Sequence, residues 1–127
     1  MPFTMPQKHR SHVLLVEDSI AELRWLMELM TRSRFRFTVA TNGMDGYHKA
    51  VLQQPDLILL DVRMPVVDGF AACRLLKADS RTQQIPVIFL SAANDVSQRI
   101  EGLNVGAVDY ICKPFDELEV MTRVNVH

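Results

Sequence analysis

Cysteine, glycine, long apolar stretches and an excess of either charge are all scarce in this chain, and each scarcity excludes something. The two cysteines, Cys73 and Cys112, fall on different expected elements and lack the spacing of a metal site, so reduced thiols are expected rather than a disulfide. The five glycines form no glycine-rich phosphate loop, and no Walker-type lysine accompanies them, which excludes the nucleotide-cradling motifs. No apolar run approaches a bilayer span. Lysine and arginine (14) almost balance aspartate and glutamate (15), for a formal net charge of −1. Such a balance leaves no electrostatic footprint for nucleic acid and no basic run for a membrane surface. Residues 1–10 carry Pro2, Pro6 and a few basic groups but no apolar core segment, so they do not make a secretory signal. They read as a flexible lead-in to one domain over residues 11–127, expected in the cytoplasm.

Short apolar runs alternate with helical periodicity, which is the pattern of repeated βα units and a parallel sheet. Strands are expected over 12–16, 36–40, 57–60, 86–90 and 107–111. The second is short and polar enough for a sheet edge. The third has no polar residue, so both of its faces should be covered by helices. Ser19 and Glu22 form a capping-box pattern ahead of a first helix, whose apolar face is Ile20, Leu23, Leu26, Met27 and Met30. Asn42 can cap a second helix with Tyr47, Ala50, Val51 and Leu52 inward. A third helix is expected over 70–78 and a fourth over 95–105, closed by Gly106. A fifth begins at Asp116, with Glu119 at its capping position and Leu118, Val120, Met121 and Val124 inward. The resulting fold class is α/β: a doubly wound, five-stranded parallel sheet with five helices on both faces.

Polar groups follow these runs where the strands end, and in an open parallel sheet that edge holds the ligand crevice. Asp61 ends an all-apolar strand; a carboxylate there is costly unless capped, paired or metal-bound. Glu17 and Asp18 follow the neighbouring strand, so like charges converge and call for a cation. Magnesium suits such an oxygen-rich site, and no histidine or cysteine stands ready for a softer metal. Lys113 would direct an ammonium into the same crevice, toward Asp61 or a phosphate, with Pro114 a candidate cis proline. Ser91 supplies a hydroxyl.

The motifs Val16-Glu17-Asp18-Ser19, Asp61-Val62-Arg63-Met64-Pro65-Val66-Val67-Asp68-Gly69, Ser91-Ala92-Ala93 and Gly106-Ala107-Val108-Asp109-Tyr110-Ile111-Cys112-Lys113-Pro114-Phe115, in this order, resemble those of the two-component response-regulator receiver domains, the CheY-like superfamily with a flavodoxin-like fold. The resemblance covers the chain from about Ser11 to His127 and implies the strand order 2-1-3-4-5. It implies that Asp61 accepts a phosphoryl group from a histidine kinase or a histidine phosphotransfer protein. Glu17, Asp18, Asp61 and the backbone carbonyl of Arg63 would hold Mg2+, Lys113 would contact the phosphoryl oxygens, and Ser91 and Tyr110 would form the switch. Arg63 and Ala93 would modulate the site, Arg63 by setting the lifetime of the phosphoryl group. The acidic pair is Glu-Asp rather than Asp-Asp, and Ser91 stands where threonine is commoner.

The output face expected from this resemblance is helix 4, strand 5 and helix 5, with a possible homodimer through it in which Arg123 and Asp109 pair across the interface. Trp25, on helix one, lies on the face that partner kinases use in this family. Self-phosphorylation and autodephosphorylation are the only chemistry implied, so no enzyme with a separate substrate is expected. Two other readings compete. A phosphorylation-independent docking module would need none of these site residues. A flavodoxin-like cofactor or phosphohydrolase domain would set Glu17 and Asp18 against a flavin phosphate, or would want a second acid where Arg63 stands.

Overall fold

Runs of leucine, valine and isoleucine with no polar member bury both faces of a strand only between two helical layers. The computed structural model describes residues 11–92 and 96–127; the lead-in over residues 1–10, Ala93 and the expected start of the fourth helix at Asp95 lie outside them. Five strands, β1 His12–Val16, β2 Arg36–Ala40, β3 Leu57–Asp61, β4 Val87–Ala92 and β5 Asp109–Lys113, alternate with α1 Ile20–Arg32, α2 Gly43–Gln53, α3 Gly69–Ala78, α4 Val96–Asn104 and α5 Glu117–Val126. All strand pairs are parallel, in the order β2-β1-β3-β4-β5. The alternation of side chains along each strand divides the core in two. Leu14, Val16, Ile58, Leu60, Val87 and Phe89 pack with α2 and α3, while Val13, Leu15, Leu57, Leu59, Ile88 and Leu90 pack with α1 and α5.

Four helices start on side-chain caps, and the sequence marks three of them. Ser19, Asn42, Asp68 and Asp116 accept from the backbone N–H three residues on, which satisfies one otherwise orphaned donor each. Gly106 takes φ +106° after α4, and the Ala107 N–H returns to the Gly102 carbonyl at 3.0 Å. That left-handed exit suits glycine because it has no Cβ. It also corrects the expected start of β5. Ala107 closes the helix instead of opening the strand, so the ladder runs over 109–113 and Lys113 lies inside it. The Lys113–Pro114 peptide bond is cis.

Three apolar residues expected inward are exposed: Ile20, Leu52 and Leu118. Each sits in the first or last turn of its helix, where the chain overhangs the sheet and periodicity has nothing to pack against. Arg123 and Asp109, expected to pair across a dimer, meet within the chain. Arg123 Nη1 donates to both Asp109 carboxylate oxygens of its own chain, at 3.0 and 2.9 Å, clasping α5 to β5. Both cysteines are free, and Cys73 is buried, which pushes its thiol up to about 11.

The loop after β3 holds a strained residue. Val66 has φ +69°, is fully exposed, and spans a γ-turn in which the Val67 N–H donates to the Pro65 carbonyl at 2.8 Å. A β-branched side chain is disfavoured there, at a cost on the order of 1–3 kcal/mol. Glycine relieves the strain but is more flexible when unfolded, so Val66→Gly is expected to gain about 1 kcal/mol in urea unfolding. An unchanged or lower midpoint would show that the turn is not strained.

Candidate functional site at the carboxyl edge of the sheet

Residues 17, 61 and 113 share the strand face that carries Val13, Leu15, Leu57, Leu59 and Ile111, so their side chains converge under α1. Lys113 Nζ lies 3.2 Å from Asp61 Oδ2, 3.2 Å from Glu17 Oε1 and 2.8 Å from Glu22 Oε1. Glu17, Glu22 and Asp61 each bring a carboxylate oxygen within 4.8 Å of the others. Glu17 is fully buried and Asp61 nearly so. One ammonium therefore faces three carboxylates in a site of low polarity.

The imbalance is visible in the protonation of the nest. Burial, and then the Asp61 carboxylate, which accepts from a protonated Glu17, push the Glu17 pKa up to about 8; the Ser19 N–H and the Lys113 charge oppose them. Burial works against the charged form of Lys113, but the hydrogen bond to Glu22 and the charges of Asp61 and Glu17 outweigh it and hold that ammonium above its ordinary range. Glu17 Oε1 lies within ion-pair distance of Lys113 yet has no hydrogen-bond donor among the described residues. A buried carboxylate oxygen left in this state suits a hard cation.

Glu22 is the site residue that the sequence reading missed. Its position three residues after Ser19 reads as the second half of a capping box, in which its side chain would reach back to the Ser19 N–H. Glu17 Oε2 accepts from that N–H at 3.0 Å instead, and the Glu22 carboxylate turns to Lys113. Only the Ser19 half of the box forms, with the hydroxyl accepting from the Glu22 N–H at 3.4 Å. An acid in the first turn after the Glu17-Asp18 pair was the available signal.

Asp18 is exposed and stands outside the cluster, on the rim of a shallow depression of about 470 Å³ that Arg63 and Pro65 also line. The Arg63 N–H donates to Asp61 Oδ1 at 3.2 Å, and its side chain is exposed. Ser91 lies within β4 rather than after it. It is buried, and its hydroxyl has no hydrogen-bond partner among the described residues. Tyr110 pairs in register with Phe89, two residues before the Ser91–Cys112 pair. Its hydroxyl accepts from Arg99 Nη1 at 2.6 Å, and its half-buried ring lies 4.9 Å from the Arg99 guanidinium and 5.9 Å from that of Arg123. Helices α4 and α5 flank opposite faces of the sheet, so a ring reached from both lies along the outer edge of β5. Trp25, half-buried on α1, packs against Phe115 with ring centroids 5.4 Å apart.

Comparisons with known proteins agree with this arrangement. A family model described as the response regulator receiver domain matches residues 13–125. The response regulator PleD of Caulobacter vibrioides is 39% identical over 115 residues, covering 91% of this chain and 25% of that protein. The DNA-binding dual master transcriptional regulator RpaA of a Synechocystis species is 38% identical over 113 residues, covering 89% and 47%. The chain thus spans about a quarter to a half of the length of such relatives.

Among solved structures, a response regulator from Chloroflexus aurantiacus superposes with a TM-score of 0.89 at 27% identity, covering 92% of this chain and 96% of that one. The receiver domain of the sensor histidine kinase PA1611 from Pseudomonas aeruginosa, with a magnesium ion coordinated in its active-site cleft, gives 0.86 at 30% identity over 92% and 96%. Five parallel strands in the order 2-1-3-4-5, an acidic nest with a lysine at their carboxyl ends, and a family match over nearly all of the described residues lead to one assignment: the chain belongs to the response regulator receiver domain family of two-component systems.

Proposed function

We propose that Asp61 accepts a phosphoryl group from a histidine kinase or a histidine phosphotransfer protein, with Mg2+ bound beside it. The observation that carries this reading is the charge deficit of the nest: three carboxylates, one of them wholly buried, around a single ammonium. Glu17, Asp18, Asp61 and the Arg63 carbonyl would hold the metal. The bound ion supplies the positive charge that phosphoryl transfer requires. Asp61 Oδ attacks phosphorus as the donor's phosphorus–nitrogen bond breaks, and Lys113 neutralises the phosphoryl oxygens. Ser91, with its hydroxyl uncommitted, turns toward the modified Asp61. The space it vacates takes the Tyr110 ring, whose hydroxyl leaves Arg99. The face formed by α4, β5 and α5 then changes and sets partner choice, including dimer formation. Arg63, exposed over the site, governs water access and the lifetime of the phosphoryl group. The chain modifies and demodifies only itself.

Incubation with a small acyl phosphate and magnesium, followed by intact mass, tests the reading. Wild type is expected to gain one phosphoryl group and Asp61→Asn none. Equal gain by both, or no gain by wild type, would overturn it. Equal binding of a partner by wild type and Asp61→Ala would favour a docking module instead.

A further inference from the structure

Glu22 has no part in the site as the family resemblance describes it, yet it makes the shortest contact to the one ammonium there. We propose that Glu22 is a positioning residue that holds Lys113 in the unmodified protein and must release it before the lysine can neutralise a phosphoryl group. The inference rests on the reading of Asp61 as the acceptor.

The Lys113 ammonium donates to Glu22 Oε1 at 2.8 Å and to Asp61 Oδ2 at 3.2 Å, while Glu17 Oε1 stands 3.2 Å away without accepting a hydrogen bond. A phosphoryl oxygen arriving on Asp61 therefore meets a lysine whose shorter hydrogen bond goes to Glu22, and drawing the ammonium onto the phosphoryl group loosens that contact. The three are not equal. The Glu17 and Asp61 side chains are 0% and 4% exposed, whereas that of Glu22 is 33% exposed. Water can replace the ammonium at the partly exposed Glu22, whereas the Glu17 and Asp61 carboxyl groups are nearly closed to solvent. Glu22 is thus the contact that breaks at least cost.

Its geometry explains why it is there at all. The Ser19 N–H, its customary target, is occupied by Glu17, so the carboxylate on the first turn of α1 is free to extend over the crevice. The hold is weak enough to yield, being a half-exposed ion pair, and strong enough to bias where Lys113 rests.

Two variants separate the hold from mere charge. Glu22→Gln removes the charge and weakens the contact. Glu22→Asp keeps the charge but shortens the reach by one methylene, so that Lys113 is released. Both are expected to raise the initial rate of Asp61 phosphorylation by an acyl phosphate, Glu22→Gln by roughly fivefold, as befits a half-exposed ion pair. The signal of the Lys113 ammonium in nitrogen-15 lysine NMR is expected to shift in both. Acceleration by Glu22→Gln alone, with Glu22→Asp like wild type, would reduce Glu22 to a source of field and overturn the proposal, as would unchanged or slower rates in both. If wild type takes no phosphoryl group, the acceptor reading fails and this inference with it. If wild type is modified at Asp61 and the variants match it, only the role of Glu22 fails.

Discussion

In chelator, raising the pH from about 6 to about 8 lowers the unfolding free energy of wild type by about 2 kcal/mol more than that of Glu17→Gln. The sign follows from the proton that the fold retains. Glu17 has an ordinary pKa of 4.5 and is pushed up to about 8 in the folded chain. Between those values the folded state holds a proton that the unfolded state has lost. Its contribution to stability is whole below about 4.5 and declines as pH rises through about 8, at no more than about 1.4 kcal/mol per pH unit.

Lys113, 3.2 Å away, favours the charged form and keeps the Glu17 pKa from rising further. His12 works in the opposite direction: burial lowers its pKa, so it adds stability as pH rises through its ordinary 6.5. Comparing wild type with Glu17→Gln cancels that background. Urea unfolding at a series of pH values reads the difference directly, and parallel profiles for the two proteins would show that Glu17 is ionised in the fold. Magnesium chloride should flatten the wild-type profile, because a bound cation favours the carboxylate over the acid.

The two helical layers and the convergence of Glu17, Asp61 and Lys113 were legible in the sequence because each depends on local signals, whereas the strand order came with the family motifs. An all-apolar run such as 57–60 requires cover on both faces, and a polar residue ending it marks the crevice edge. What stayed hidden depends on competition between contacts. Glu22 has the spacing of a capping residue, and nothing in one dimension shows that Glu17 takes the Ser19 N–H first. The start of β5 moved by two residues because Gly106 and Ala107 serve the exit of α4. Asp109 and Arg123 look available to a partner until β5 and α5 are adjacent, when they meet each other. Ile20 and Leu118 have the right period but overhang the sheet edge, where periodicity carries no information about cover.

Gly69→Ala is expected to cost about 3 kcal/mol and to lower phosphoryl uptake at Asp61 together with stability. Gly69 begins α3 immediately after the loop that leaves β3, and its N–H donates to the Val62 carbonyl at 2.8 Å. Only Gly106 among the glycines has positive φ, so Gly69 is required for space rather than for its dihedral freedom. A Cβ there would overlap the Asp61 carbonyl oxygen and stand 2.8 Å from Val62 Cα. Both obstacles are backbone and cannot rotate aside. Either the first turn of α3 moves outward, losing the bond to Val62, or the Asp61 peptide shifts and carries its carboxylate away from Lys113. Val66→Gly, three residues earlier in the same loop, should change stability in the opposite direction, because there the side chain itself is the source of strain. Urea unfolding of both variants, with phosphoryl uptake measured below the transition, tests the pair. A cost below about 1 kcal/mol for Gly69→Ala, with uptake intact, would mean that this approach of α3 to β3 has slack, and that the position of Asp61 is fixed by its strand alone.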